Sequence, residues 1–212
     1  MTLYLEESGA LPLSEVLKPI QDRIVAHTTY FGVPTLKNPM DFWVYQEIIH
    51  ELRPTVIVEV GNRFGGSALA LAHLLDVIGA GRIIGVDIHH ADLHPKARAH
   101  PRITFLEGDA TALANTVKGM IAPEDSVLVI EDSSHTYENT LNVLNSYSSL
   151  VKSGGYFIVE DSICHHGLEV GPQPGPYEAI QTFLAENKDF VTDRDRESFV
   201  ITWNPLGFLK RR

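Results

Sequence analysis

The stretch from Thr55 to Ser67 constrains this 212-residue chain more than any other. Thr55-Val56-Ile57-Val58-Glu59-Val60 is an almost continuous β-branched run, and Gly61-Asn62-Arg63-Phe64-Gly65-Gly66-Ser67 then turns through glycines into a helical pattern. A strand this uniformly apolar belongs inside a parallel sheet with both faces covered. The helix behind it aims free N–H groups and the positive end of its dipole back at the turn, an arrangement suited to a nucleotide-like ligand. Further strands are predicted at Arg82 to Asp87, Ile103 to Glu107, Ser126 to Glu131, Gly155 to Glu160, Phe190 to Thr192 and Ser198 to Trp203. Helices are predicted at Gly66 to Ile78, Ala110 to Gly119, Tyr137 to Leu150 and Tyr177 to Asn187. Alternation of this kind is the signature of an α/β sheet with helices on both faces. Asp193 to Glu197 is too short for a parallel crossover, so the last two strands are expected as an antiparallel hairpin at one sheet edge.

With 44% hydrophobic and 21% charged residues, the chain can bury one substantial core, and a second full domain is not expected. A net charge of -10 argues against nucleic acid as a partner, and Lys210-Arg211-Arg212 is too short to reverse it. No window approaches the roughly 18 uninterrupted apolar residues of a membrane span, and the first seven residues lack a basic segment followed by an apolar run. The expectation is a soluble, cytoplasmic protein. A lone cysteine, Cys164, excludes an intrachain disulfide and a multi-thiolate zinc site.

Ligands of open α/β sheets bind at the carboxyl ends of the strands. The five predicted parallel strands place there Glu59, Asp87, Asp109, the pair Glu131-Asp132, and the pair Glu160-Asp161. So much like charge on one rim calls for bound cations. Asp132, Glu160 and Asp161, on neighbouring strand ends, form a hard-ion set suited to Mg²⁺ or Mn²⁺. His135, three residues after Asp132, either accepts a proton from a substrate hydroxyl, with an ordinary pKa near ~6.5, or caps the next helix. Alternation turns Glu131 away from Asp132. Asp87 is placed to accept both hydroxyls of a ribose.

The glycine spacing Glu59-x-Gly61-x-x-x-Gly65-Gly66-Ser67 departs from the G-x-G-x-x-G of dinucleotide folds. It resembles the first motif of class I S-adenosylmethionine-dependent methyltransferases. That resemblance implies that Gly61 and Gly65 admit the amino acid part of the cofactor and that Ser67 contacts its carboxylate. It also implies that Asp109 accepts from the adenine amino group, with Ala110 on the ring, unless Asp109 is only a helix N-cap.

A wider set of motifs resembles the cephalosporin hydroxylase family from about Tyr30 to the end. It comprises Tyr30-Phe31-Gly32-Val33-Pro34, Lys37-Asn38-Pro39-Met40-Asp41, Tyr45-Gln46-Glu47-Ile48-Ile49, Glu59-Val60-Gly61, Gly65-Gly66-Ser67-Ala68-Leu69, Asp132-Ser133-Ser134-His135, Glu160-Asp161 and Trp203 to Arg211. The resemblance implies a Rossmann-like class I methyltransferase fold, with a mostly parallel seven-stranded sheet and a C-terminal antiparallel hairpin. Residues 1–52 are then an N-terminal helical cap, with an amphipathic helix from Leu13 to Ala26, and residues 53–212 the cofactor-binding domain. S-adenosylmethionine is implied at Glu59, Gly61, Asn62, Gly65, Ser67, Asp87, Asp109, Ala110 and Asp132. Mg²⁺, or Mn²⁺, is implied at Asp132, Glu160 and Asp161, with His135 as base, as in the metal-dependent sugar O-methyltransferases of macrolide biosynthesis.

The implied activity is O-methylation of a small-molecule hydroxyl on a natural product or sugar, in antibiotic biosynthesis, by a homo-oligomer. Three alternatives stand beside it: a component of cephalosporin 7-hydroxylation and methoxylation, a non-catalytic S-adenosylmethionine-binding partner of another enzyme, and a nicotinamide dehydrogenase. Ser162 to Pro176 reads as a mobile lid carrying His165 and His166, and Cys164 as inert. His89, His90 and His94 are expected to flank the adenosine pocket rather than bind a second metal. Tyr30 and Phe31 are read either as stacking or interface residues at an exposed turn or as core anchors.

Overall fold

The computed structural model describes residues 4–212; the first three residues of the predicted cap lie outside this range. Helices α1 (Leu5–Ser8) and α2 (Leu13–His27) lead into a small hairpin of β1 (Thr29–Tyr30) and β2 (Val33–Pro34), then α3 (Pro39–Leu52). Next come β3 (Val56–Val60), α4 (Gly66–Ile78), β4 (Arg82–Asp87), α5 (Pro95–Arg98), β5 (Ile103–Glu107), α6 (Ala110–Gly119), β6 (Val127–Glu131), α7 (Tyr137–Tyr147) and β7 (Tyr156–Val159). The chain closes with α8 (Pro176–Glu186), β8 (Phe190–Thr192) and β9 (Phe208–Arg211). The large sheet has the order β5-β4-β3-β6-β7-β9-β8, parallel from β5 through β7 and antiparallel at β9 and β8.

The apolar runs explain the layers. Along β3, Val56, Val58 and Val60 enter one core with Val143, Leu144 and Tyr147 of α7 and Ile180 and Phe183 of α8. Ile57 faces the opposite core, formed by Tyr45, Ile48 and Ile49 of α3 and Leu71 and Leu75 of α4. Alternation therefore survives inside a continuous hydrophobic run because both faces are covered. Helix α3 starts where Asn38 accepts the backbone N–H of Met40 and Pro39 occupies the first turn. It ends at Arg53 in a left-handed conformation. A third core joins Leu17 and Ile24 of α2 to Ile163, Leu168 and Trp203, so α2 rests on the predicted lid and on the segment before β9. Among the described residues no helix is long and apolar enough to cross a membrane.

The predicted last strand is misplaced. Ser198 to Trp203 is irregular, with Val200 exposed at a φ of 68°, and the strand is β9, nine residues further on at its midpoint than the stretch foreseen. Two contacts fix this choice. Asp41 accepts the backbone N–H of Trp203, anchoring that segment to α3, and a Cβ at Gly207 would sit 2.1 Å from the Val159 carbonyl oxygen. Only glycine lets the chain turn in so close to β7. The antiparallel pair is present, but β9 lies between β7 and β8 and the connection between the pair is long. The helix predicted to reach Leu150 ends at Tyr147 and continues as a single 3₁₀ turn over Ser148–Leu150.

Candidate active site

A cavity of about 730 Å³ opens at the carboxyl ends of β3, β4 and β6, roofed on one side by α2. Its first half is the glycine turn. Gly61 has a φ of 89°, and a Cβ there would fall 1.9 Å from the backbone oxygen of Asp132, so glycine is what allows β3 and β6 to converge. Gly65 begins α4 with a φ of 78° and no side-chain cap, and a Cβ on it would strike Leu93 and Ala97. Asp87 ties the turn down: its Oδ2 accepts the N–H groups of Asn62 and Arg63 at 2.7 Å each. Beneath the turn, the fully buried Glu59 accepts from Asn62 Nδ2 at 2.8 Å and from the Ser67 hydroxyl. Burial pushes the Glu59 carboxyl above its usual range.

Asp109 is exposed and caps α6, accepting from the Ala112 N–H at 2.9 Å and the Thr111 hydroxyl at 2.5 Å through one oxygen. Those bonds hold its pKa low. Capping and cavity lining are compatible, because both Asp109 and Ala110 border the space. Of the residues foreseen for the cofactor, Gly61, Asn62, Ser67, Asp87, Asp109, Ala110 and Asp132 line the cavity. Glu59 and Gly65 stand behind it.

The second half gathers charge. His135 Nε2 lies 3.6 Å from Asp161 Oδ2 and 4.0 Å from Asp132 Oδ1. Potential ligand atoms of Asp132, His135 and Asp161 fall within 4.8 Å of one another. Glu160, foreseen with the two aspartates, turns elsewhere: its Oε1 accepts from Lys37 Nζ at 2.5 Å, and the same ammonium reaches Asp132 Oδ2 at 2.5 Å. Lys37 is only 5% exposed. Burial opposes its charge, but Asp132, Glu160 and Glu59 outweigh burial and raise its pKa, so it stays protonated.

The carboxyls feel the converse. Burial first, relieved in part by His135 and reinforced by Asp132, pushes Asp161 up to about 6. Burial also drives Glu160 well above the carboxylate range. Burial disfavours the imidazolium of His135, yet Asp161, Asp132 and Glu131 prevail and raise its pKa. Glu131 itself faces the other way and accepts from Ser133 and from Asn139 Nδ2.

A divalent cation fits this donor set. Lys37 holds Asp132 and Glu160 while Asp161 faces His135 beside them, and acid groups forced upward by burial and mutual repulsion are those a dication would relieve. Backbone strain marks the same place: Arg63, His135 and Asp161 all line the cavity and have φ of 40°, 57° and 55°.

The remaining wall is built from Gln21, Ile24 and Val25 of α2 with Cys164, Val170 and Trp203. The Trp203 indole N–H donates to Gln21 Oε1. Burial and Asp161 raise the Cys164 thiol to about 11, which keeps it unreactive. His165 pairs with Glu169 at 3.0 Å, while His166 pairs with Glu178 at 2.7 Å and stacks on Tyr177. These contacts fasten residues 162–176 to one another and to the start of α8. His89 borders the cavity, whereas His90 packs on Phe105 and His94 caps α5. A separate grouping, His73, Asp76 and His100, is already engaged, since Arg102 and His100 both bond Asp76.

A family model described as rhamnosyl O-methyltransferase/CmcI matches residues 22–212. The chain is similar to the rhamnosyl O-methyltransferase of Mycobacterium tuberculosis, 37% identical over 191 residues that cover 87% of this chain and 78% of the relative. It is 38% identical over 193 residues to the rhamnosyl O-methyltransferase of Mycobacterium leprae, covering 87% and 83%. Among solved structures, CmcI with Mg and SAM superposes with a TM-score of 0.70 at 26% identity, over 87% of this chain and 76% of that one. The O-methyltransferase TomG from Streptomyces achromogenes, with SAM, gives a TM-score of 0.58 at 15% identity over 88% and 85%, a likeness of fold alone.

Proposed function

The chain belongs to the rhamnosyl O-methyltransferase/CmcI family and is an S-adenosylmethionine-dependent O-methyltransferase; on that premise we propose that it methylates a hydroxyl of a sugar or sugar-bearing natural product with help from a divalent ion, Mg²⁺ or Mn²⁺. The observation that carries this reading is the convergence of Asp132, His135 and Asp161 at the wall of a cavity whose other end is the glycine turn and Asp87. S-adenosylmethionine supplies an electrophilic methyl group, and a divalent ion supplies positive charge that makes a neighbouring hydroxyl more acidic.

The chain's own residues do the rest. Asp87, Asn62, Ser67, Asp109 and Ala110 border the cofactor half, while Asp132, Asp161 and Glu160 would hold the ion. The free Asp87 Oδ1 is available for ribose hydroxyls because only Oδ2 is used by the turn. His135 takes the acceptor proton at Nε2, where Asp161 and Asp132 stabilise the resulting imidazolium. The Ile24, Val25, Val170 and Trp203 wall offers an apolar and aromatic surface for the body of the acceptor and keeps water from the reacting hydroxyl.

The names of the mycobacterial relatives support a sugar hydroxyl as the acceptor. The test is incubation of pure protein with methyl-labelled S-adenosylmethionine, Mg²⁺ and a panel of rhamnosides, other glycosides, phenols and cephalosporins. Label in a glycoside, lost on chelation and restored by Mg²⁺, is the expected result. Label in a phenol alone, or equal transfer after chelation, would contradict it.

A further inference from the structure

Lys37 has no part in the reading above, yet it occupies the centre of the acidic cluster. It follows β2 in an irregular stretch, is 5% exposed, and touches two carboxylates that lie 95 and 123 residues away in sequence. A lysine buried to this degree is held only by pairing, because an ammonium leaves water at a large cost in free energy. Here the pairing consumes Asp132 Oδ2 and Glu160 Oε1, two atoms from the set that would hold a divalent ion. Asp132 is divided: Oδ2 serves the lysine and Oδ1 faces His135 and, beyond it, Asp161.

We propose that Lys37 is a built-in counter-cation that competes with the divalent ion for Asp132 and Glu160, so that ion binding exchanges one cation for the other. Without the ion the ammonium keeps the cluster folded; with it, Asp132 and Glu160 turn to the dication and the ammonium withdraws into the cavity it already borders. Lys37 is thus a positioning residue that sets metal affinity. The proposal rests on the metal reading above.

The test reads binding, with no cofactor or acceptor present. Mn²⁺ is titrated by electron paramagnetic resonance into chelator-treated wild type and Lys37→Met. Removing a unit charge this close to the site should tighten Mn²⁺ by at least ~10-fold, since such pairs interact strongly even at an effective dielectric near 20. Equal or weaker binding by Lys37→Met overturns the proposal. Absence of Mn²⁺ binding by both proteins overturns the metal reading and the proposal with it, a distinguishable result.

Because Lys37→Met leaves two buried carboxylates unpaired and can fail to fold without metal, a second measurement uses the wild-type chain. The side-chain ammonium of Lys37, labelled with ¹⁵N, should give a slowly exchanging signal that shifts or broadens saturably on adding Mg²⁺. A signal unchanged at saturating Mg²⁺ overturns the exchange.

Discussion

His135 and Asp161 hold left-handed backbone conformations that cost a non-glycine residue of order 1–3 kcal/mol. The sites where that strain is kept are the sites whose side chains must meet. Asparagine tolerates this conformation better than most residues, which makes it the informative replacement. His135→Asn should melt within ~1 kcal/mol of wild type yet lose about 10²-fold in turnover, read by labelled methyl transfer, because the proposed proton acceptor is gone. Asp161→Asn should lose turnover by ~10²-fold or more while S-adenosylmethionine affinity, measured by calorimetry, stays within about threefold. Lys37 shows the limit of reading a sequence at this scale. The carboxylates at strand ends were legible because a strand's length and direction fix where its last residue falls. A lone lysine in an irregular segment has no period, and its meaning comes from partners that only the fold delivers. The diversion of Glu160 from the aspartates has the same origin.

At the level of elements, β3, β4 and β6 are held together at both ends by different means. At the carboxyl end, Gly61 admits the Asp132 backbone. Gly61→Ala puts a methyl group into that carbonyl at a φ of 89°, and a loss of about 3 kcal/mol or more in denaturant unfolding is expected. At the opposite end Asp125 accepts from the Thr55 hydroxyl at 2.6 Å, from the Ala122 N–H and from Arg82, each at 2.9 Å. The Thr55 bond leads these interactions in lowering Asp125 to about 2. A depressed carboxyl stabilises the fold above its unfolded pKa of ~3.9 and loses that contribution as pH falls towards 2. Asp125→Asn should therefore cost about 2 kcal/mol at neutral pH and flatten the decline in melting temperature between pH 4 and 2. The five parallel strands were legible as apolar runs. Strand β9 was not, since Phe208-Leu209-Lys210-Arg211 carries only two apolar residues and is chosen by the Gly207 approach to Val159.

Across the whole molecule, α2, the lid and the segment before β9 form one apolar unit through Leu17, Ile24, Ile163, Leu168 and Trp203. The cavity wall that Ile24 and Trp203 help to form is therefore as firm as that unit. Ile24→Asp should loosen it, and limited proteolysis should then cut between residues 162 and 176 well below the global melting temperature, while wild type resists. The layout of the sheet followed from strand and helix order, but the joining of α2 to Trp203 spans most of the chain and carries no local signal.

The placement of β9 between β7 and β8 has a consequence for biosynthesis. Phe190–Thr192 is synthesised before its sheet neighbour β9, and β7 presents an open flank until β9 arrives. A nascent chain stalled near Asn204 would expose that flank to other copies, the situation in which strand edges aggregate. Pauses in translation over this stretch are thus hazardous for yield.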